Sequence, residues 1–311
     1  MALLTSPIQQ ASQFLNKSLV RGLSAVFVNE KVPVAIARQR FNRLNLMAAK
    51  PRGVEVRQSH IAGVPVDIIT PHDLQSSHRL LYFHGGAFCV GSPQTHRDLT
   101  VWLAKALGWQ VVVPDYRLAP EHKYPAAPDD CLSVYQAMVD DPAVEHVVIG
   151  GDSAGGNLAL VTLLRLKAQG GKMPPAAVLY SPWTDLRCCT ESFYTKRDLD
   201  PMLTRPWLHR MREHYCAGED LHHWELSPLF GDLAGLPPIL LHAGGNEILL
   251  NDAINLEMQL KQQQSPVHCK IWHELWHVFH AHVQYLAIAR QAIYETRDFI
   301  QQSLAMDARR A

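Results

Sequence analysis

Gly151-Asp152-Ser153-Ala154-Gly155-Gly156-Asn157 decides how this chain is read. An apolar run, His146 to Ile149, precedes it, and a helix-forming run, Leu158 to Lys167, follows. That order is strand, tight turn, helix, with a serine at the apex. Gly-x-Ser-x-Gly in this setting is a nucleophile elbow. Side chains at 151 and 155 would collide with neighbouring backbone in so sharp a turn, and glycine tolerates the dihedrals required. Ser153 is then carried to an exposed position above a sheet. The N–H of Ala154, at the positive end of the following helix, points to where an anion would form.

Outward from the elbow, strands and helices alternate. Strands are expected at Val64 to Thr70, Arg79 to Phe83, Gln110 to Pro114, Val147 to Ile149, Ala177 to Tyr180, Ile239 to His242 and Cys269 to Trp272. Several are short continuous apolar runs, which suits strands buried on both faces of a parallel sheet. Helices are expected at Thr95 to Leu107, Asp129 to Val139, Leu158 to Gln169, Asp252 to Gln263 and Ala281 to Ser303. The alternation predicts a doubly wound α/β sheet. The first fifty residues read as helical, with Leu15, Leu19, Leu23 and Val26 at helical spacing and a second stretch from Val34 to Met47. Arg187 to His223 breaks the rhythm, being polar, aromatic and without a clear strand. We read it as an insertion covering the sheet's C-terminal edge, where such folds bind ligands, with the N-terminal helices joining it as a lid. The expected division is 1–50 (N-terminal cap part), 51–186 (core), 187–223 (cap insertion) and 224–311 (core).

Composition narrows the function classes. The chain has 311 residues, enough for a large core, and Lys+Arg and Asp+Glu both total 29. A balanced charge without a basic cluster argues against a nucleic-acid partner. Met1 to Val20 lacks the charged and apolar regions of a secretory signal, and no run is apolar over the length of a bilayer. Cys89, Cys131, Cys188, Cys189, Cys216 and Cys269 show no framework spacing. Reduced thiols and a cytoplasmic location are therefore expected. A homodimer stays open.

A serine elbow needs oxyanion donors, a base and a group to orient the base. Tyr82-Phe83-His84-Gly85-Gly86-Ala87-Phe88 follows a predicted strand, and its small residues can turn the N–H groups of Gly85, Gly86 and Ala87 into one pocket with that of Ala154. The base should lie after the last strand. His277 is there, with His273, His280 and His282 as competitors among 17 histidines. Arg117 and Glu121 are expected to brace a loop beneath the site, and His96 and Arg97 to begin or support the next helix. Phe88, Trp183, Trp207 and Tyr215 can line an acyl pocket or simply pack the core.

These motifs resemble the bacterial hormone-sensitive-lipase-like family of α/β-hydrolase esterases. The resemblance runs through His84 to Phe88, Asp115-Tyr116-Arg117-Leu118-Ala119-Pro120-Glu121, Gly151 to Ala159, Ser181-Pro182-Trp183, Ser227-Pro228-Leu229-Phe230 and His277-Val278-Phe279, in the family's order. It implies the α/β-hydrolase fold with a helical cap, and the subgroup with Gly-Asp-Ser-Ala-Gly. It also implies hydrolysis of short- to medium-chain carboxylic esters through an acyl-enzyme, with a small ester as partner and neither metal nor cofactor.

The acid departs from the family's pattern. Gly244-Gly245-Asn246-Glu247-Ile248-Leu249-Leu250-Asn251-Asp252 puts Asn246 where the resemblance expects an aspartate. An amide accepts a hydrogen bond but brings no charge to imidazolium. In a serine protease the same change costs about 10⁴ in turnover. Asn246 at the acid position predicts a weak esterase. In a second reading Glu247 takes the role through a local backbone shift, although it occupies the family's own Glu position. In a third, Asp252 or Asp185 contributes, or the chain is a receptor-like binding relative with little turnover. His273-Glu274-Leu275-Trp276-His277 also matches the zinc-peptidase pattern H-E-x-x-H, which requires a helix there.

Overall fold

The computed structural model describes residues 17–22, 24, 28–46 and 52–309. Its centre is an eight-stranded sheet: β1 (Val54–Ile61), β2 (Val64–Pro71), β3 (Arg79–Phe83), β4 (Gln110–Pro114), β5 (Val147–Asp152), β6 (Ala177–Tyr180), β7 (Ile239–Gly244) and β8 (Val267–Trp272). The order is β1-β2-β4-β3-β5-β6-β7-β8. Strands β3 to β8 run parallel, and β2 pairs antiparallel with both β1 and β4.

The helices that connect and cover the strands include α1 (Val34–Leu46), α2 (Arg97–Leu107), α3 (Ala126–Val139), α4 (Ala154–Gln169), α5 (Ser192–Thr195), α6 (Arg205–Cys216), α7 (Leu250–Gln262) and α8 (Ala287–Asp307). Alternate residues of the central strands feed two apolar layers. Leu81, Phe83, Ile149, Leu179 and Leu241 join α3, α4 and α7. Leu80, Val148, Val178 and Leu240 join α2 and α8. Burying each such aliphatic side chain contributes roughly 1.5–3 kcal/mol relative to exposure. Helix α4 is buried from Ala154 to Leu166, the signature of a helix enclosed in the core.

All seven expected strands and five expected helices form, with shifted ends. The last helix starts at Ala287 rather than Ala281, after a 3-10 turn over Phe279–His282. Strand β1 is an addition to the expected set. Its Val-Glu-Val-Arg-Gln-Ser-His-Ile sequence is largely polar because this edge strand leaves most of its side chains partly or fully exposed.

Residues 187–223 contain α5 and α6 and no strand. Leu15, Leu23 and Val26 lie outside the described residues, as does Met47. The N-terminal stretch meets the insertion through Arg21 Nη2 on the Asp198 carbonyl (2.8 Å) and Arg210 Nη1 on the Val32 carbonyl (3.2 Å). No described helix is long and apolar enough to cross a membrane.

Candidate active site

The C-terminal ends of β3, β5, β6, β7 and β8 carry the site. At the end of β5 the chain turns through Ser153, with φ 52° and ψ −119°, directly into α4. A serine with positive φ costs on the order of 1–3 kcal/mol and persists where its surroundings over-determine it. The surroundings here are explicit. Ser153 N–H donates to the Tyr180 carbonyl (2.9 Å), and the Ser153 carbonyl accepts from Trp183 N–H (3.0 Å). A Cβ at Gly155 would sit 1.9 Å from the Phe83 carbonyl oxygen, so only glycine lets α4 begin this close to β3.

The loop after β3 turns back over the elbow, with Ala87 and Phe88 both at positive φ. The Gly85 N–H is already engaged, 3.2 Å from Oδ1 of Asp152. Of the four expected oxyanion donors, Gly86, Ala87 and Ala154 remain without an acceptor among the described residues. The Gly85 N–H, expected among the donors, thus anchors the loop to Asp152 instead.

Asp152 is the anchor's other half. It is buried and also accepts from Tyr82 Oη (2.8 Å), while Oδ2 faces Nε2 of His96 at 3.4 Å. Burial pushes its carboxyl up, but the charge of His96, then hydrogen bonds from His96 and Tyr82, hold it below the usual value. For His96 burial pulls downward and Asp152 more than reverses it, so the imidazole is raised. With both ring nitrogens protonated, Nδ1 of His96 donates to the Ser92 carbonyl (3.3 Å) and Nε2 to Asp152. Nε2 also lies 3.2 Å from the Gly85 N–H. A protonated Nε2 cannot accept from it, which leaves that N–H to Asp152. His84, stacked on Tyr116 at 4.2 Å, is pushed down to about 3 by burial and stays neutral.

The acid and base loops are laced together by backbone. Gly245 N–H donates to the Trp272 carbonyl (2.9 Å) and Asn246 N–H to the Leu275 carbonyl (2.8 Å). A Cβ at Gly244 would lie 2.6 Å from the Leu275 oxygen, so glycine is required for the approach.

The two neighbouring side chains on this turn differ in burial. Glu247 points inward, fully buried, and its Oε2 lies 3.3 Å from Nδ1 of His277. The contact is not an aligned hydrogen bond, since Nδ1 of His277 and Oε1 of Glu247 both lack one. Such geometry is common before substrate binds. Asn246 is partly exposed, with no side-chain hydrogen bond among the described residues. The side chain set beside His277 is that of Glu247 and not of Asn246, which the sequence pattern placed at the acid position. Glu247 is the carboxylate beside the histidine, because the turn can present only one of the two.

Asp252 accepts from Thr184 and Asp185 N–H groups (2.8 and 2.9 Å), and Asp185 pairs with Arg187 (2.7 Å). Neither serves His277. Burial holds the Asp252 carboxyl well above the usual range. His280 bonds His242 at 3.2 Å, and both rings are lowered by burial. Residues 273–277 form turns and irregular chain rather than a helix, so the two histidines of H-E-x-x-H do not share a helical face and the zinc reading fails.

The bracing residues behave partly as expected. Arg117 grips Asp130 of α3 (2.7 Å), and Glu121 pairs with Arg38 of α1 (2.6 Å). Arg97 pairs with Asp67 (2.7 Å). Phe88 stacks on Tyr215 of α6 at 3.9 Å and lies 5.8 Å from Trp183. Phe88, Trp183, Trp207 and Tyr215 all belong to one buried cluster.

Sequence reasoning left two side chains without a role. Ser181 donates its hydroxyl to Glu247 (2.8 Å). Asp200, in the insertion, accepts from Met202, Leu203 and Ile248 N–H groups and is pushed up to about 6, chiefly by burial. Ser181 opens the Ser-Pro-Trp motif, which by itself names no task for the hydroxyl, and Asp200 has no local pattern that marks it.

Residues 80–281 match the family model of the alpha/beta hydrolase fold. The chain belongs to the alpha/beta hydrolase family. Within it, its structural neighbours are bacterial esterases of the hormone-sensitive-lipase type. This hydrolase is 40% identical over 220 residues to an acetyl-hydrolase of Streptomyces hygroscopicus, covering 70% of this chain and 74% of the relative. It is 37% identical over 249 residues to an esterase of Acinetobacter venetianus (79% and 82% covered). Among solved structures, the esterase EstE5 soaked in ethyl alcohol superposes with a TM-score of 0.91 at 32% identity (97% and 100% covered). An esterase of the bacterial hormone-sensitive lipase family gives 0.90 at 29% identity (97% and 99% covered).

Proposed function

We propose that this carboxylesterase works through an acyl-enzyme on Ser153. Ser153 Oγ attacks the ester carbonyl while His277 takes its proton. Glu247 stabilises the imidazolium that forms, and the N–H groups of Gly86, Ala87 and Ala154 receive the oxyanion. His277 then protonates the leaving alcohol, and a water activated by the same imidazole releases the acid. The observation that carries this reading is the convergence of the positive-φ Ser153, three unengaged N–H groups and the Glu247–His277 pair at one sheet edge.

The relatives named acetyl-hydrolase and esterase support short-chain esters as substrates. The Phe88, Trp183 and Tyr215 cluster behind the oxyanion loop is consistent with a restricted acyl side. The N-terminal stretch and residues 187–223 act together as the cap. A cytoplasmic location, expected from the spacing of the cysteines, belongs to the same proposal. The binding-only reading rested on Asn246 as the acid, and the carboxylate of Glu247, 3.3 Å from His277, favours turnover over it.

Hydrolysis of p-nitrophenyl acetate by the wild type and Ser153→Ala tests the proposal. The variant is expected to lose turnover by about 10⁴-fold or more, and to form no acyl adduct by intact mass. Equal rates for the two proteins would refute it.

A further inference from the structure

Ser181 lies at the end of β6, where the family motif Ser-Pro-Trp begins. It is fully buried, and its backbone has φ 46°. Its hydroxyl makes two hydrogen bonds. It donates to Oε2 of Glu247 at 2.8 Å and accepts the N–H of Val278 at 3.2 Å. The same Oε2 lies 3.3 Å from Nδ1 of His277, and the Val278 N–H belongs to the peptide that follows His277. Ser181 N–H also donates to the His242 carbonyl on β7 (2.7 Å), the strand from which the acid loop springs. Val278 has φ 46° as well, a region a β-branched residue rarely enters without constraint. Two strained positions thus meet through one oxygen.

The geometry points to Ser181 as a positioning residue: its hydroxyl sets which way the Glu247 carboxylate faces and where the His277 ring hangs. The inference rests on the roles proposed above for Glu247 and His277. The physical need is clear from the acid itself. Glutamate has one more rotor than aspartate, and freezing a long side chain is costly in entropy. A charge-assisted hydrogen bond from a buried hydroxyl removes that freedom. Ser181 touches neither substrate nor the attacking oxygen in this role.

The test is a double-mutant cycle with p-nitrophenyl acetate. Wild type, Ser181→Ala, Glu247→Gln and the double variant are compared. Turnover is normalised to active serine titrated with diethyl p-nitrophenyl phosphate, so a loss of folded protein does not register. Ser181→Ala is expected to lower kcat about 10- to 100-fold with KM within about two-fold. In the Glu247→Gln background the same change should alter kcat by less than about three-fold, because nothing is left to position. Ser181→Gly, which relieves the positive φ while removing the hydroxyl, should show the same kcat loss, and it carries the test should the alanine variant not fold. Equal losses in both backgrounds, or an unchanged kcat in the serine variants beside a crippled Glu247→Gln, would overturn the positioning role alone. Undiminished kcat in Glu247→Gln would overturn the acid assignment and this inference with it.

Discussion

His277 and Glu247 meet because the buried Glu247, and not its partly exposed neighbour Asn246, lies against the histidine. On the 246–247 turn the distinction is a single position, yet it decides whether the imidazolium has a carboxylate or an amide beside it. Glu247→Gln is expected to lower kcat by about 10³- to 10⁴-fold, the scale seen when a triad acid becomes an amide elsewhere. Asn246→Asp should leave kcat within about two-fold, since Glu247 already sets a carboxylate beside His277. Steady-state kinetics of the two variants checks both at once. A large gain in Asn246→Asp would return the acid role to position 246.

The turn between β5 and α4, the loop after β3 and the start of α2 form one linked unit through Asp152. It receives Gly85 from the loop, Tyr82 from β3 and His96 from the helix start. The pH dependence of this link follows from the two shifts. The raised His96 stabilises the fold fully below its ordinary 6.5, and that contribution fades as pH climbs through the raised value. The lowered Asp152 contributes above its ordinary 3.8 and is lost as pH falls through the lowered value. The pair is therefore worth most between those two ordinary values. His96→Ala should destabilise by about 3 kcal/mol at pH 6, because it strands a buried carboxylate. The deficit relative to wild type should shrink at pH 9. Thermal unfolding at the two pH values measures it, and an equal Tm loss at both would disprove the charged link. Turnover should fall too, since Gly85 anchors the loop that presents Gly86 and Ala87.

Across the protein, Arg38 ties α1 to the loops around the site, and Asn42 of the same helix accepts from the Ser92 hydroxyl (3.4 Å). Arg38 Nε donates to the Cys89 carbonyl (2.6 Å), and Nη2 reaches the Ala119 carbonyl and Glu121. It thereby joins the N-terminal stretch to the oxyanion loop and to the segment after β4. Arg38→Ala should lower stability by about 1–3 kcal/mol, mostly from carbonyls left without a donor. The Glu121 partner is exposed and adds little. The urea midpoint should fall with its slope unchanged, and turnover without urea should fall several-fold. A fall in midpoint with unaltered turnover would separate the brace from the chemistry.

The elbow, the strand-helix alternation and the order of motifs were all legible in the chain. They are local patterns, written in residues close together in sequence. A glycine two residues from a serine reports the turn's sterics directly, and an apolar run reports its own burial. Strand β1 was not legible, because an edge strand exposes most of its side chains and so carries little apolar signal. The acid was not legible either, since position 246 or 247 depends on which side chain the turn directs inward. That direction is imposed by Gly245 and Asn246 bonding to the chain at Trp272 and Leu275, partners nearly thirty residues away. The same holds for Gly85, whose N–H is taken by Asp152, and for Ser181, whose bonds reach 66 and 97 residues along the chain. Sequence was sufficient for the chemistry's class and the scaffold. Only tertiary packing decided which donor was free, which carboxylate faced the histidine and what held it there, because each is a choice among groups that local sterics permit equally.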